Sequence, residues 1–297
     1  MTETTKPYDS TLGAALLLLP TLVVLVVFLY YPALLTFRLS LFQTLLLGTE
    51  RAFVGLENYV GLLGSGAYHG SFLISVAFAA TVVLGTLVVS LFVAYLLFQV
   101  EVGESTYLVA AIWPYALPTA VAGTVLLFLL HPTLGIITHY VEALTGVELD
   151  WFTSGPLAFL VVALSAVWKQ LGYNIVFLVA ALNNVPTTLT ESAKLDGVGH
   201  LRLLRRVYLP LISPTLVFLV VVNTIYAFFG AFPLVDLMTS GGPSGATNLL
   251  IFKLYRDAFE FSSLGSAAAQ SVVLFVVVAL LMWVQLRVSD RYMHYGA

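Results

Sequence analysis

Six separate stretches of this chain are each about twenty or more residues long and almost wholly apolar, a recurrence that leaves few folds open. They run from Gly13 to Ala33, Phe72 to Phe98, Tyr107 to Leu130, Pro156 to Leu182, Leu211 to Phe232 and Ser266 to Leu286. Each is long enough, wound as a helix, to cross the hydrocarbon core of a bilayer. Lipid offers backbone amides no partner, so only helices or a closed barrel can cross it, and the alternating polarity of barrel strands is absent. Composition agrees: of 297 residues 60% are hydrophobic and 9% charged, against roughly 25% charged in soluble domains. The expected fold is all-α, a polytopic bundle of six transmembrane helices with membrane lipid as its solvent. Disorder, collagen-like repeats and a basic nucleic-acid-binding domain are excluded, so no nucleic acid is expected as a partner. The absence of cysteine excludes disulfides, thiolate-ligated zinc and thiol catalysis. The first stretch follows a single cation, Lys6, continues too long and lacks a small-residue cleavage site. It reads as a retained span and not as a removed signal peptide.

Lysine and arginine orient the bundle. With six spans both termini lie on one side, and Lys6, Lys194, Arg202, Arg205, Arg206, Arg287 and Arg291 fall there. Arg38, Arg51, Lys253 and Arg256 fall on the other side. This bias places residues 1–12, the loop 185–209 and the tail 289–297 in the cytoplasm, around a transmembrane domain over 13–288. The outer loops are 34–71 and 233–265. The first holds FVGLENYVGLL from Phe53, and the second holds the turn-rich TSGGPSGATN from Thr239. After it, Leu250, Leu254, Ala258 and Phe261 recur at helical spacing, which predicts an amphipathic helix at the interface.

Signs of catalysis are missing. A phosphate-binding loop places Gly directly before Lys, whereas the four lysines follow Thr5, Trp168, Ala193 and Phe252. Neither H-E-x-x-H nor G-x-S-x-G occurs. His69, His131, His139, His200 and His294 are scattered through loops and termini, and Ser65 between Gly64 and Gly66 reads as a flexible loop. The chain alone is therefore not expected to hydrolyse ATP, and no metal site is expected.

Two segments carry more information. Lys169 falls mid-span, in the polar cluster Trp168, Lys169, Gln170, Tyr173 and Asn174. A lysine there costs about 2.5–3.5 kcal/mol on insertion scales. It should face a cavity or a partner, the plain alternative being a structural lysine bonded to backbone carbonyls or to a carboxylate of a neighbouring helix. Lys169, Tyr173 and, less closely, Asn174 have spacings that let them share or adjoin one face. The second segment is VPTTLTESAKLDGVGHLRLLRRVYLPLISP from Val185. Thr188 and Glu191 have capping-box spacing, predicting a helix start, and Gly197 can end that helix. A second short helix is expected to bury Leu201, Leu204 and Val207 and to turn Arg202, Arg205 and Arg206 away. Pro210 and Pro214 would open span five. Physics alone also allows this segment to rest on the membrane with its arginines near lipid phosphates.

The same segment resembles the EAA loop of binding-protein-dependent ABC importer permeases. The family pattern is met by Glu191, Ala193, Asp196, Gly197, Leu209 and Pro210, with Ser192 and Val198 replacing alanines. FVGLENY and TSGGP are similar to the branch importing sugars and polyols. HPTLGIITHY from His131, VWKQLGYN from Val167 and VVNTIYAFFGAFPLVD from Val221 resemble the first permease of glycerol-3-phosphate importers. The resemblance implies a second permease subunit, two ATPase subunits that bind ATP and Mg, and an extracytoplasmic solute-binding protein. It implies that Glu191, Ser192, Ala193, Asp196, Gly197, Leu209 and Pro210 belong to the ATPase-coupling loop. Lys169, Gln170, Tyr173 and Asn174 are the candidate solute pathway, with Lys169 suited to a phosphate ester. An oligosaccharide or other sugar as solute is the alternative. A secondary transporter is a further one, lacking the intramembrane carboxylate that ion coupling often uses.

Overall fold

The computed structural model describes residues 11–45, 50–100, 102–195 and 198–289. They form two compact units: the residues up to Gly64 with Tyr255–Val273, and Ser65–Leu254 with the residues from Leu274 onward.

In the first unit, helix α1 (Gly13–Leu39) has the length and hydropathy of a span, and none of its most apolar stretch is buried. Apolar side chains on all sides suit a helix solvated by lipid. Pro32 lacks the amide that would bond the preceding turn. The helix absorbs this in one wide turn at Val26–Tyr30, where the Tyr31 N–H reaches back to the Val26 carbonyl. It continues past the expected end at Ala33. A hairpin follows, β1 (Phe42–Leu45) antiparallel to β2 (Glu50–Phe53), pairing Phe42 with Phe53 edge-to-face at 5.4 Å. Helix α2 (Glu57–Gly64) is tied to the end of α1. The Asn58 amide donates to the carbonyls of Ser40 (2.8 Å) and Phe42 (3.0 Å), and the Tyr59 and Ser40 hydroxyls are 2.6 Å apart. The Asn and Tyr of the FVGLENY run thus lock α2 onto the helix–hairpin junction, which gives that run a structural role. In the Tyr255–Val273 part, Gln270 donates to the Asp257 carboxylate.

The second unit contains α3 (Gly66–Phe98), α4 (Glu104–Ala116), α5 (Thr119–Leu129), α6 (Ile136–Thr145), α7 (Gly155–Asn183), α8 (Thr187–Leu195) and α9 (His200–Leu203). Then come α10 (Ser213–Met238), α11 (Leu250–Tyr255) and the later part of α12 (Leu264–Ser289). Ser65, expected in a flexible loop, caps α3 by accepting the Tyr68 N–H. Helix α7 is the central one, packed against α3 and α4, with more of its length buried than any other span.

The third expected span is not one straight helix: α4 and α5 meet at 97°. Pro118 is the cause. It has no N–H, and it holds Leu117 extended (φ −70°, ψ 138°), as a residue before proline must be. Among the described residues five helices are long and apolar enough to cross a membrane, or six if the bent pair is one span. Expected span five ends at Phe232, but α10 runs on to Met238 through a wide turn at Tyr226–Gly230. The turn-rich stretch after it holds positive φ at Ser240, Gly241, Ser244 and Gly245. The stripe expected on the following helix is altered. Leu250 is buried and its N–H bonds the Ser75 hydroxyl, Phe252 is buried although off the stripe, and Phe261 is exposed.

Candidate functional site

Lys169 lies at 4% exposure in the middle of α7. Its ammonium donates to the Tyr115 carbonyl (3.0 Å) and stands 4.8 Å from the Tyr115 ring centroid. The local sequence explains why that carbonyl is available. Tyr115 is in the last turn of α4, and the bend at Pro118 carries the Thr119 N–H, its would-be helical donor, out of the ladder. A cation at a helix C-terminus also opposes the negative end of the helix dipole. The two helices approach closely because position 172 is glycine. A Cβ there would stand 2.8 Å from the Ile112 Cα and carbonyl oxygen and 3.0 Å from the Tyr115 Cβ.

The same lysine lines a cavity of about 600 Å³. Gln170 and Tyr173 of α7, Tyr115 and Thr119 beside the break, and Tyr226 of the wide turn in α10 share its wall. The Tyr115 and Tyr173 rings are 5.3 Å apart. The Tyr226 hydroxyl is buried without a hydrogen-bond partner among the described residues. None of the lining residues is a carboxylate, so the lysine charge meets no counter-charge there. An ammonium set among aromatic side chains is chemically suited to an anion or to a polar ring.

Asn174, grouped with these residues by sequence, is turned elsewhere. It is fully buried and exchanges two hydrogen bonds with Asn223 of α10 (3.0 and 2.8 Å), and it also donates to the Gln170 carbonyl. Of the four candidate pathway residues, Lys169, Gln170 and Tyr173 share the cavity, while Asn174 joins two helices.

The segment after α7 is firmly anchored. Helix α8 begins at Thr187, so Thr188 is inside it and does not cap it; Pro186 opens the turn by accepting the Leu189 N–H at 3.2 Å. Glu191 and Ser192 are exposed, and the Ser192 hydroxyl bonds back to Thr188. Asp196 and Gly197, including the expected helix stop, lie outside the described residues; Ala193 sits within α8. Helix α9 passes into a wide turn at Leu204–Tyr208 and a last turn at Leu209–Leu211 that holds Leu209 and Pro210. The extra residue in that turn rotates the buried face. Leu201 is exposed at 79%, and Leu203 and Tyr208 are buried with Leu204 and Val207 packed beside them. Arg202, Arg205 and Arg206 are exposed, as expected. Tyr208 stacks edge-on against Tyr95 (5.9 Å) and Phe98 (5.5 Å) at the end of α3, and the Tyr95 hydroxyl donates to the His200 carbonyl. Burial raises the Tyr208 phenol above its ordinary pKa.

The family model described as "Binding-protein-dependent transport system inner membrane component" matches residues 87–294. The chain belongs to this family. The sn-glycerol-3-phosphate transport system permease protein of Yersinia enterocolitica is 41% identical over 280 residues, covering 94% of this chain and 95% of that protein. Its namesake in Salmonella choleraesuis is 42% identical over 283 residues, at the same coverage. The fold is also that of a bacterial ABC transporter involved in alginate import, with TM-score 0.81 and 19% identity over 95% of this chain and 96% of the other. This permease is thus a subunit of an ABC importer and an all-α polytopic membrane protein.

Sequence reasoning had missed Tyr115, Tyr226 and Asn223 in the permease. Asn223 left a signal, as the one carboxamide in the stretch from Leu211 to Phe232. Tyr115 acts through its carbonyl, for which side-chain patterns give no cue. Among the described residues no group of His, Asp and Glu is placed to hold a metal.

Proposed function

We propose that this permease forms half of the translocation pathway of an ATP-driven importer and that its solute is sn-glycerol-3-phosphate. The observation that carries the solute is the Lys169 ammonium in a cavity wall that holds no carboxylate. Two relatives named for that solute support it. A phosphate ester would receive the lysine charge, and Tyr173 and Gln170 would serve the remaining oxygens.

The importer in this reading contains a second permease, two ATPase subunits and an extracytoplasmic solute-binding protein. The alginate importer, whose structure was determined with a pentasaccharide-bound periplasmic protein, is a precedent for the last of these. ATP and Mg belong to the ATPase subunits, and this chain is not an enzyme. The loop 185–209, with both termini, lies in the cytoplasm, where Glu191, Ser192, Ala193, Asp196, Gly197, Leu209 and Pro210 take part in docking one ATPase. Tyr208 and Leu203 would carry the motion of that ATPase into α3, α7 and α10 by rigid-body displacement.

The aromatic walls favour a second reading, a neutral sugar stacked on Tyr115, Tyr173 or Phe229. Uptake by the assembled importer in proteoliposomes, with its binding protein present, separates the two. The proposal expects ATP-dependent accumulation of glycerol-3-phosphate, uncompeted by neutral oligosaccharide. Accumulation of the oligosaccharide alone would overturn it.

A further inference from the structure

Helix α6 presents an apolar face that the fold leaves uncovered. Ile136, Ile137, Tyr140 and Leu144 recur at helical spacing and are all exposed, while Thr138 on the opposite side is buried. The polar Glu142 and His139 also lie away from this stripe. A soluble amphipathic helix turns its apolar face inward; this one turns it outward.

The position of α6 in the membrane is fixed by its attachments. Gly135, its N-cap, is pressed onto the end of α5, the second half of the bent pair. A Cβ on Gly135 would stand 2.5 Å from the Leu129 carbonyl oxygen and from the His131 nitrogen. At the other end of the loop, the buried Trp151 indole donates to the Leu130 carbonyl at 2.6 Å, which ties the approach to α7 back to the same end of α5. Both attachments tie α6 to the end of α5, where the apolar run that closes at Leu130 gives way to His131 and Pro132. A helix of ten residues held at that end, uncharged on its open face and carrying a tyrosine there, fits the boundary between lipid headgroups and acyl chains.

We propose that α6 is an interfacial anchor whose Ile136–Ile137–Tyr140–Leu144 face is embedded in the lipid of the membrane surface. Through Gly135 and Trp151 it holds the outer ends of α5 and α7 at constant depth while the bundle moves. This does not depend on the identity of the solute.

The chain contains no cysteine, so single spin labels can be placed in the full importer built with cysteine-free partner subunits. Labels at Tyr140→Cys, Leu144→Cys and Glu142→Cys would be compared for collision with oxygen, which partitions into lipid, and with a water-soluble nickel chelate. The proposal expects oxygen to dominate several-fold at 140 and 144, at a depth of ~5–10 Å, and the chelate to dominate at 142. Chelate access at 140 and 144 equal to that at 142 would overturn it, as would exclusion of both reagents, which means cover by protein. Leu144→Trp keeps the face apolar should labelling impair assembly. Its added emission should be quenched by lipids brominated near the headgroup, and the absence of quenching counts equally against the anchor.

Discussion

Lys169 both satisfies the carbonyl that Pro118 leaves without a helical partner and lends its charge to a cavity. These two roles separate on substitution. Lys169→Gln keeps a donor for Tyr115 and removes the charge, whereas Lys169→Met removes both. The Met variant should therefore lower the thermal midpoint of the purified chain more than Gln does; equal loss would mean that the Tyr115 bond contributes nothing. The Asn174–Asn223 pair makes a second residue-level prediction. Hydrogen bonds between membrane helices average about 0.6 kcal/mol and reach ~1.7, so Asn174→Leu should cost roughly 1–3 kcal/mol by losing two bonds and stranding one amide. Adding Asn223→Leu should restore part of that in a detergent melting experiment. Additive losses would argue that the pair is not coupled. Lys169 was legible in the sequence because a mid-span charge is costly enough to need a reason. The misplacement of Asn174 had an equally physical origin: helical spacing gives a direction, and its partner lies on a helix far along the chain.

At the scale of elements, close approach at Gly172 sets the α4–α7 contact. Gly172→Val should drive a branched side chain into the Ile112 backbone, at a cost of about 1–3 kcal/mol or more, and part Lys169 from Tyr115. Gly70→Ala in α3 meets nothing within 4 Å and should be neutral or stabilising by roughly 0.5–1 kcal/mol. Reversal of that order in melting measurements would contradict the packing described. The spans were readable because lipid imposes length and apolarity together, and α7 and α12 depart from expectation only at their ends. What escaped was local backbone geometry. The break at Pro118 divides a stretch whose composition is continuous, and the wide turn at Leu204–Tyr208 shifts the helical phase, so Leu201 faces out where strict periodicity turned it in. The start of α8 moved by one residue because Pro186 opens the turn ahead of Thr188.

In the whole importer proposed above, the chain is a lever and half a pore. Purified alone and free of contaminating ATPases, it should turn over no ATP; measurable hydrolysis would refute the division of labour. Glu191→Lys, at an exposed position of α8, should leave the complex assembled while lowering solute-stimulated ATP hydrolysis. Wild-type stimulation would exclude Glu191 from docking. The direct test of the central claim is uptake of labelled sn-glycerol-3-phosphate by importers carrying Lys169→Gln. A charge-assisted hydrogen bond contributes about 1.5–3 kcal/mol, so uptake should fall at least about tenfold with assembly and basal ATP hydrolysis unchanged. Uptake at the wild-type rate would mean that the lysine serves the fold alone and that the cavity does not select its solute by charge.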